Sequence, residues 1–348
     1  MQKSSDLIAK KLRHKIISGE WEPGLRIPTR KDIVNLVDSN ATVVQQAITT
    51  LVEEGFLVVG AAKKGTTVAK NPPHQSQYRI IFPNSENENS LFSRAVKKAI
   101  ADRKHSQNIY SYFSGFNKHD DIEQYNSLCD EVVNHKIAGL IFITSSKDQG
   151  NIATLSQSKL PKVAISNKGD FPGIPKLCLD LDSFIHAATQ YLSKQGKKKV
   201  AFICPDTACF YVDSFRRYMK EFGLKVQSKF EQFPSIINTM VIKHLIELLF
   251  DANQTEQPDS LIIMDDNLIE GVDLALKKLT TPTNLEVVAC SNFPNLVKSD
   301  YPMTHFGFDI PAIIDLLTKN LENISLGKKV PHITKIKAIH ENDFFNKI

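Results

Sequence analysis

Apolar residues recur at helical spacing through the first fifty positions and then give way to two short β-prone runs. Ile8, Leu12 and Ile16 repeat at i+4 and Gly19 supplies a stop, which predicts a helix over 5–18. Pro23-Gly24 marks a turn. Thr29 stands at an N-cap position with Asp32 three residues on, ahead of Ile33, Leu36 and Val37, so a second helix starts there. Asp38-Ser39-Asn40 breaks that helix and caps a third, in which Val44, Ala47, Ile48 and Leu51 form one buried stripe. Gly55 ends it. Phe56–Val59 and Thr66–Ala69 read as the strands of a hairpin with a basic tip at Lys63-Lys64-Gly65. Three helices and a hairpin, with a short turn between helices two and three, predict an α+β winged helix-turn-helix over residues 1–70.

The stretch 71–77 is polar and proline-bearing and reads as a linker. From Tyr78 the period changes. Apolar β runs at Arg79–Phe82, Asn108–Tyr112, Gly139–Ile143, Lys162–Ile165, Lys199–Ile203, Ser260–Met264 and Glu286–Ala289 alternate with helical stretches. Those stretches lie near 90–104, 119–135, 183–195, 212–222, 236–251, 268–279 and 310–323. Strands alternating with helices predict an α/β domain of parallel sheets flanked by helices over 78–348, long enough for two sheets. Ligands of open parallel sheets sit beyond the carboxyl ends of the strands, which directs attention to the Asn, Asp and Ser residues there.

Composition narrows the class. Of 348 residues, 42% are hydrophobic and 23% charged, the balance of a globular protein. No run of about 18 apolar residues offers a membrane span. The N-terminus interleaves charge with apolar residues instead of forming a signal-peptide core, so a cytoplasmic location is expected. Cys129, Cys178, Cys204, Cys209 and Cys290 are dispersed, which suits reduced thiols. Residues 1–70 carry eleven Lys and Arg against seven Asp and Glu, so their +4 is nearly all of the chain's net +5. A basic small unit on a near-neutral large one is the asymmetry of a nucleic-acid binder. No GxxxxGK, GxSxG, HExxH or strand-borne GxGxxG occurs, and His105, His119 and His135 lack metal-ligand spacing. No catalytic residue, metal or cofactor is therefore expected.

Residues 23–33, PGLRIPTRKDI, resemble the PGxRLPSxRxL signature of GntR-type winged-helix repressors. Residues 40–48, NATVVQQAI, are similar to that family's recognition helix SRxTVRxAL, Glu54-Gly55-Phe56-Leu57 to its EGLL, and Gly65–Ala69 to its GTFVA wing. The remainder resembles the periplasmic-binding-protein-like effector domain of LacI-type regulators. The carrying stretches are ATQYL at 188–192 with QGKKKVA at 195–201, Asp265-Asp266-Asn267 with Gly271, and VVACSN at 287–292. Joined, the two resemblances imply an arabinose-repressor-like arrangement: a homodimer on a pseudo-palindromic DNA operator, controlled by a small effector, with a sugar as the candidate, in a cleft between two lobes. They imply a first lobe of about 78–180 plus 309–326 and a second of about 181–305 plus 328–348.

The resemblance also marks candidate residues. Arg26, Thr29, Arg30, Lys31, Asn40, Thr42, Val43, Gln45, Gln46, Lys63, Lys64, Gly65 and Thr66 form the DNA-binding set. Arg30 and Lys31 read either as phosphate contacts or as a solvated pair, and Thr42, Gln45 and Gln46 either as groove readers or as an ordinary polar face. Ala41 and Gln45 stand where the family has Arg; Arg reads guanine bidentately and Gln favours adenine, so a different operator is expected. The effector set is Asn89, Phe92, Ser166, Asn167, Tyr211, Asp266, Asn292 and Phe308. Tyr211 falls where the family clamps sugar with Arg, Ser166-Asn167 where it has Asp-Arg, and Phe308 where it has Gln. Asp266 matches, with a helix N-cap as its alternative role, and Asp180 and Asp182 read as a cap or turn. Two other readings remain at this level: a cytoplasmic receptor whose N-terminal module docks a protein partner instead of DNA, and an enzyme on the α/β domain.

Overall fold

The computed structural model describes residues 4–61, 65–82, 90–103, 108–114, 122–143, 159–167, 173–235, 238–278 and 284–347. The chain begins with α1 (Ser4–Ile17), α2 (Arg30–Val37) and α3 (Ala41–Glu53), then β1 (Leu57–Val59) and β2 (Thr66–Val68). Thr29 and Asp32 form a capping box on α2, and the Asn40 side chain caps α3 by accepting from Val43 N. The apolar stripes meet in one core of Ile8, Leu12, Ile16, Ile33, Val44, Leu51, Phe56 and Val68, with Trp21 and Ile27 closing it. β1 and β2 pair antiparallel, Leu57 opposite Val68 and Val59 opposite Thr66. The segment after the Pro23-Gly24 turn lies along β2, with Ile27 N donating to Thr66 O at 3.0 Å and Val68 N to Leu25 O at 2.8 Å.

The expected linker is partly structured. Pro73–Ser76 form one helical turn, α4, and β3 (Gln77–Phe82) starts at the residue assigned to the linker's end. There follow α5 (Leu91–Ala101), β4 (Ile109–Ser114), α6 (Ile122–Val133), β5 (Gly139–Ile143), β6 (Lys162–Ile165), β7 (Lys176–Asp180) and α7 (Leu181–Lys194). The next elements are β8 (Val200–Ile203), α8 (Val212–Glu221), β9 (Glu231–Gln232), α9 (Thr239–Leu249), β10 (Ser260–Ile263) and α10 (Ile269–Leu276). β11 (Glu286–Phe293), β12 (Thr304–Asp309), α11 (Ile310–Ser325), β13 (Ile333–Lys337), β14 (Ile339–His340) and α12 (Glu341–Phe345) complete the described chain.

Among the described residues these strands make two six-stranded sheets, ordered β13-β7-β6-β5-β3-β4 and β14-β12-β11-β10-β8-β9. β3 pairs parallel with β4 and β5, β5 with β6, β7 with β13, β8 with β9 and β10, and β11 with β10 and β12, while β12 and β14 are antiparallel. Continuous apolar runs such as Leu140–Ile143 and Leu261–Ile263 suit such parallel sheets. Contacts divide the chain into two compact units: residues 1–85, 103–175 and 319–330, and residues 86–102, 176–318 and 331–348. In the first, Ile81, Leu128, Ile137, Leu140, Phe142 and Ala164 form the core beside the sheet; in the second, Ile203, Ile242, Ile246, Leu261, Val272 and Val287 do.

The sequence division gives 328–348 to the second lobe, and the contacts likewise place 331–348 in the second unit, while β13 extends the first sheet by pairing with β7, Ile333 opposite Lys176 through Lys337 opposite Asp180. Ile-Thr-Lys-Ile-Lys is a half-polar edge strand with alternating exposure, and its partner is fixed by pairing between distant segments, not by local pattern.

Candidate functional site

In the N-terminal unit, α3 and the hairpin face each other across an open groove of about 630 Å³. Arg26, Thr29, Arg30, Gln45, Gly65 and Thr66, all in the candidate DNA-binding set, line it. The groove exists because α3 buries Val44, Ala47, Ile48 and Leu51, which turns Thr42, Gln45 and Gln46 to solvent. Gly65 is required at the hairpin's end of the groove. Its φ is +72°, and a Cβ there would lie 2.6 Å from Arg26 Nε, so the guanidinium lies directly against the glycine. Lys31 is exposed but lies outside the groove lining, as do Asn40, Thr42, Val43 and Gln46.

Two of the set have structural duties. The Thr29 hydroxyl donates to Asp32 Oδ2 at 2.5 Å within the capping box, and half-buried Val43 packs against the core. Lys63 and Lys64 lie outside the described residues. Thr49 also lines the groove and was missed in the sequence reading; its place one turn beyond Gln45 on the exposed face is the pattern that marks it.

In the second unit the candidate effector residues stand at the carboxyl ends of parallel strands. Asp266 follows β10, Asn292 lies near the end of β11, and Phe308 is its register partner on β12. Asn292 Nδ2 donates to Asp266 Oδ2 at 2.7 Å, with both residues buried. The cap role considered for Asp266 belongs to Asp265, whose Oδ1 accepts from Asn267 N at 2.9 Å and from Asn267 Nδ2 at 2.6 Å. Burial raises the Asp265 carboxyl above the usual carboxylate range; burial and the adjacent Asp265 charge raise Asp266 likewise. Two adjoining carboxyls, Asp266 buried and Asp265 half-buried, cannot both ionise cheaply, so the pair retains a proton into the neutral range.

Asp266 borders an open polar groove of about 580 Å³, lined also by Leu91, Arg94, Asn267, Glu270 and Lys298. Leu91 N donates to Asn267 Oδ1 at 3.3 Å, which fixes the start of α5 beside the acid pair. Phe92, the next residue, is half-buried. Tyr211 ends a 3-10 turn after β8, and burial, with Asp180 and Asp182 nearby, pushes its phenol up to about 12. Asp180 is the N-cap of α7, accepting from Ser183 N at 3.2 Å, and Asp182 binds Arg217 and Tyr218. In the first unit, buried Ser166 and exposed Asn167 follow β6. Asn89, with His105 and His119, lies outside the described residues. Among the described residues, no three His, Cys, Asp or Glu side chains are grouped to hold a metal, and no helix is long and apolar enough to cross a membrane.

Comparison with known proteins matches two stretches of the chain to two different families. Residues 4–68 match the bacterial regulatory proteins of the gntR family, and residues 82–302 match the periplasmic binding proteins and sugar binding domain of the LacI family. The chain is 23% identical over 293 residues to catabolite control protein A of Priestia megaterium, covering 78% of this chain and 81% of that protein. A LacI family transcriptional regulator from Lactobacillus casei, solved with bound glucose, superposes with a TM-score of 0.57 at 16% identity, over 76% of this chain and 98% of that one. A LacI-type transcription regulator from Bifidobacterium animalis subsp. lactis gives 0.58 at 13%, over 76% and 97%. At such identities the structural likeness speaks for the fold: a two-lobed α/β domain with parallel sheets.

Proposed function

Since the chain belongs to the family of periplasmic binding proteins and sugar binding domains of the LacI type, and carries a GntR-type domain at its N-terminus, we propose that it is a DNA-binding transcription repressor controlled by a small effector. The observation that carries the DNA-binding part is the convergence of Arg26, Arg30, Gln45, Gly65 and Thr66 on one groove beside the recognition helix. Cations there bind phosphate and hold the register; Gln45, with Thr42 and Gln46 on the same exposed face, reads base edges. The protein works in the cytoplasm as a homodimer on a pseudo-palindromic operator, with each reader on one half-site. It is not an enzyme.

The effector is a sugar-like polyol held by Asp266 and Asn292. Their hydrogen-bonded carboxyl and amide offer an acceptor and a donor side by side, the pairing that adjacent hydroxyls satisfy. With Tyr211 in place of a clamping Arg, recognition uses an aromatic wall and neutral hydrogen bonds more than charge. The glucose bound to the Lactobacillus casei relative supports a carbohydrate effector.

A mobility-shift titration on duplexes from the region upstream of the gene tests the first part. Binding whose log affinity falls linearly with log salt, by about 0.9 per neutralised phosphate, is the expected result. Absence of salt-sensitive binding to any such duplex, with charge reversal at Arg30 and Lys31 leaving partner function intact, would favour docking to a protein. A thermal-shift screen of sugars tests the second part, because a ligand that binds only the folded chain raises its midpoint.

A further inference from the structure

The wing and helices are expected to hang on a linker, yet the structure ties them to the first sheet of the effector domain. The tie starts at Glu54, the C-cap residue of the recognition helix α3. Its Oε2 is bound by Arg13 from α1, and its Oε1 lies 3.1 Å from Nζ of Lys136, which belongs to the turn between α6 and β5. Arg13 Nη1 reaches the same turn, donating to Asn134 Oδ1 at 3.4 Å. Lys136 is held in turn by Asp130 at 3.0 Å, and Asn134 Nδ2 donates to Asp130 Oδ1 at 2.7 Å.

The turn is itself anchored. His135 takes a left-handed conformation with φ of 54°, closing the end of α6, and Lys136 N donates to Glu131 O. The Glu131 carboxylate takes two hydrogen bonds from the Arg79 guanidinium on β3, both 2.8 Å. The charged chain thus runs from the recognition helix through Lys136 and α6 to β3 of the first sheet. Beneath it, Phe56 of the reader stacks on His74 of the linker, ring centroids 5.8 Å apart and 8° from parallel. Side-chain exposures of 26% for Lys136 and 16% for Glu54 make theirs a half-buried pair, which salt screens less than a solvated surface pair.

We propose that Glu54 and Lys136 are positioning residues that clasp the recognition helix to the first lobe, setting its orientation toward DNA and carrying the state of the effector domain to it. The inference rests on the DNA-binding reading above. A free seven-residue linker would let each reader wander over a root-mean-square distance of about 15 Å. Two half-sites demand a fixed spacing and direction, so a slack reader must be ordered on every binding event. The clasp removes that ordering cost in advance. It also places the turn between α6 and β5 of the effector domain against the end of the helix that carries Gln45 and Gln46.

The test uses the full-length chain and a duplex that the wild type selects from a random-sequence pool. Dissociation constants are measured over a salt series for wild type, Lys136→Ala, Lys136→Met and Lys136→Arg, with hydrogen exchange followed over 41–53, 70–77 and 139–143. Lys136→Ala and Lys136→Met are expected to weaken binding about tenfold, with the salt slope unchanged because Lys136 touches no phosphate. Amides of 41–53 and 70–77 exchange faster, those of 139–143 do not, and Lys136→Arg restores both readouts. Met keeps the apolar stem, so a packing loss confined to Ala is recognised. Unchanged or tighter binding by both variants, with unchanged exchange in 41–53, overturns the clasp; so does a salt slope reduced by about one unit, which would make Lys136 a phosphate contact. If the wild type selects no duplex, the DNA-binding reading fails, and the exchange data still decide whether Lys136 holds the helix.

Discussion

At the scale of single residues, Gly65 shows how backbone conformation and a close approach can demand the same amino acid. Its left-handed φ and the Arg26 side chain 2.6 Å from a would-be Cβ act together. Gly65→Ala is therefore expected to displace the guanidinium. Mobility shifts over a salt series should show weaker DNA binding and a slope reduced by about 0.9, as for one lost phosphate contact, matching Arg26→Ala. Equal slopes for Gly65→Ala and wild type would remove Arg26 from the interface. Asp266 makes a second case. A carboxyl whose folded value is raised contributes stability below its ordinary value near 3.8, and that contribution is lost as pH climbs toward the raised value. Asp266→Asn should therefore unfold at higher denaturant than wild type at pH 8 and show a flatter profile between pH 4 and 8, while effector affinity falls by about 1–3 kcal/mol. The sequence placed Asp266 at a strand end but could not separate its role from that of Asp265. Only the side chains' directions assign the cap to one and the buried pair with Asn292 to the other.

At the scale of elements, local pattern was a sound guide wherever one face was buried and the ends carried their own caps. The stripe Val44, Ala47, Ile48 and Leu51 and the Asn40 cap define α3 without help from the rest of the chain. Short strands fared worse. The local pattern does not predict β7, β9, β12, β13 and β14, because runs such as Ile333–Lys337 are half polar and gain strand structure only from a partner. Helix contact likewise imposes requirements the helices do not show singly. Gly271 on α10 faces α9 so closely that a Cβ would lie 2.6 Å from Ile242 Cβ and 2.8 Å from Thr239 O. Gly271→Val should cost about 1–3 kcal/mol through overpacking. Urea unfolding of the chain would register the loss, while hydrogen exchange in α3 stays as in wild type.

At the scale of the whole molecule, the charge bias and the period change at residue 78 were enough to separate a basic reader from an α/β domain. How the two communicate was not legible. The contacts that join them, Glu54 with Lys136 and Arg13 with Asn134, run between residues far apart in sequence, 121 positions for the latter. His74 adds a pH dependence to this region. Burial, with His135 nearby, lowers its imidazole to about 4. A lowered histidine favours the neutral form in the folded chain, so its contribution is complete above the ordinary value near 6.5 and is lost as pH falls toward 4. His135, lowered by burial and by Arg13, His14 and Lys10, acts in the same direction. His74→Phe keeps a ring to stack on Phe56 and should flatten the loss of stability between pH 6.5 and 4, measured by thermal unfolding. A profile as steep as wild type would assign the acid sensitivity elsewhere.

The amino-acid order alone determined the helices of the reader, their caps, the hairpin and the alternation of strand and helix beyond it. These follow from periodicity and capping within about four residues, which the linear chain states directly. Tertiary structure alone decided that 333–337 joins the first sheet, that Asp265 and not Asp266 caps the turn after β10, and that Glu54 meets Lys136. Each depends on which distant backbone or side chain arrives opposite, and no local period encodes that choice.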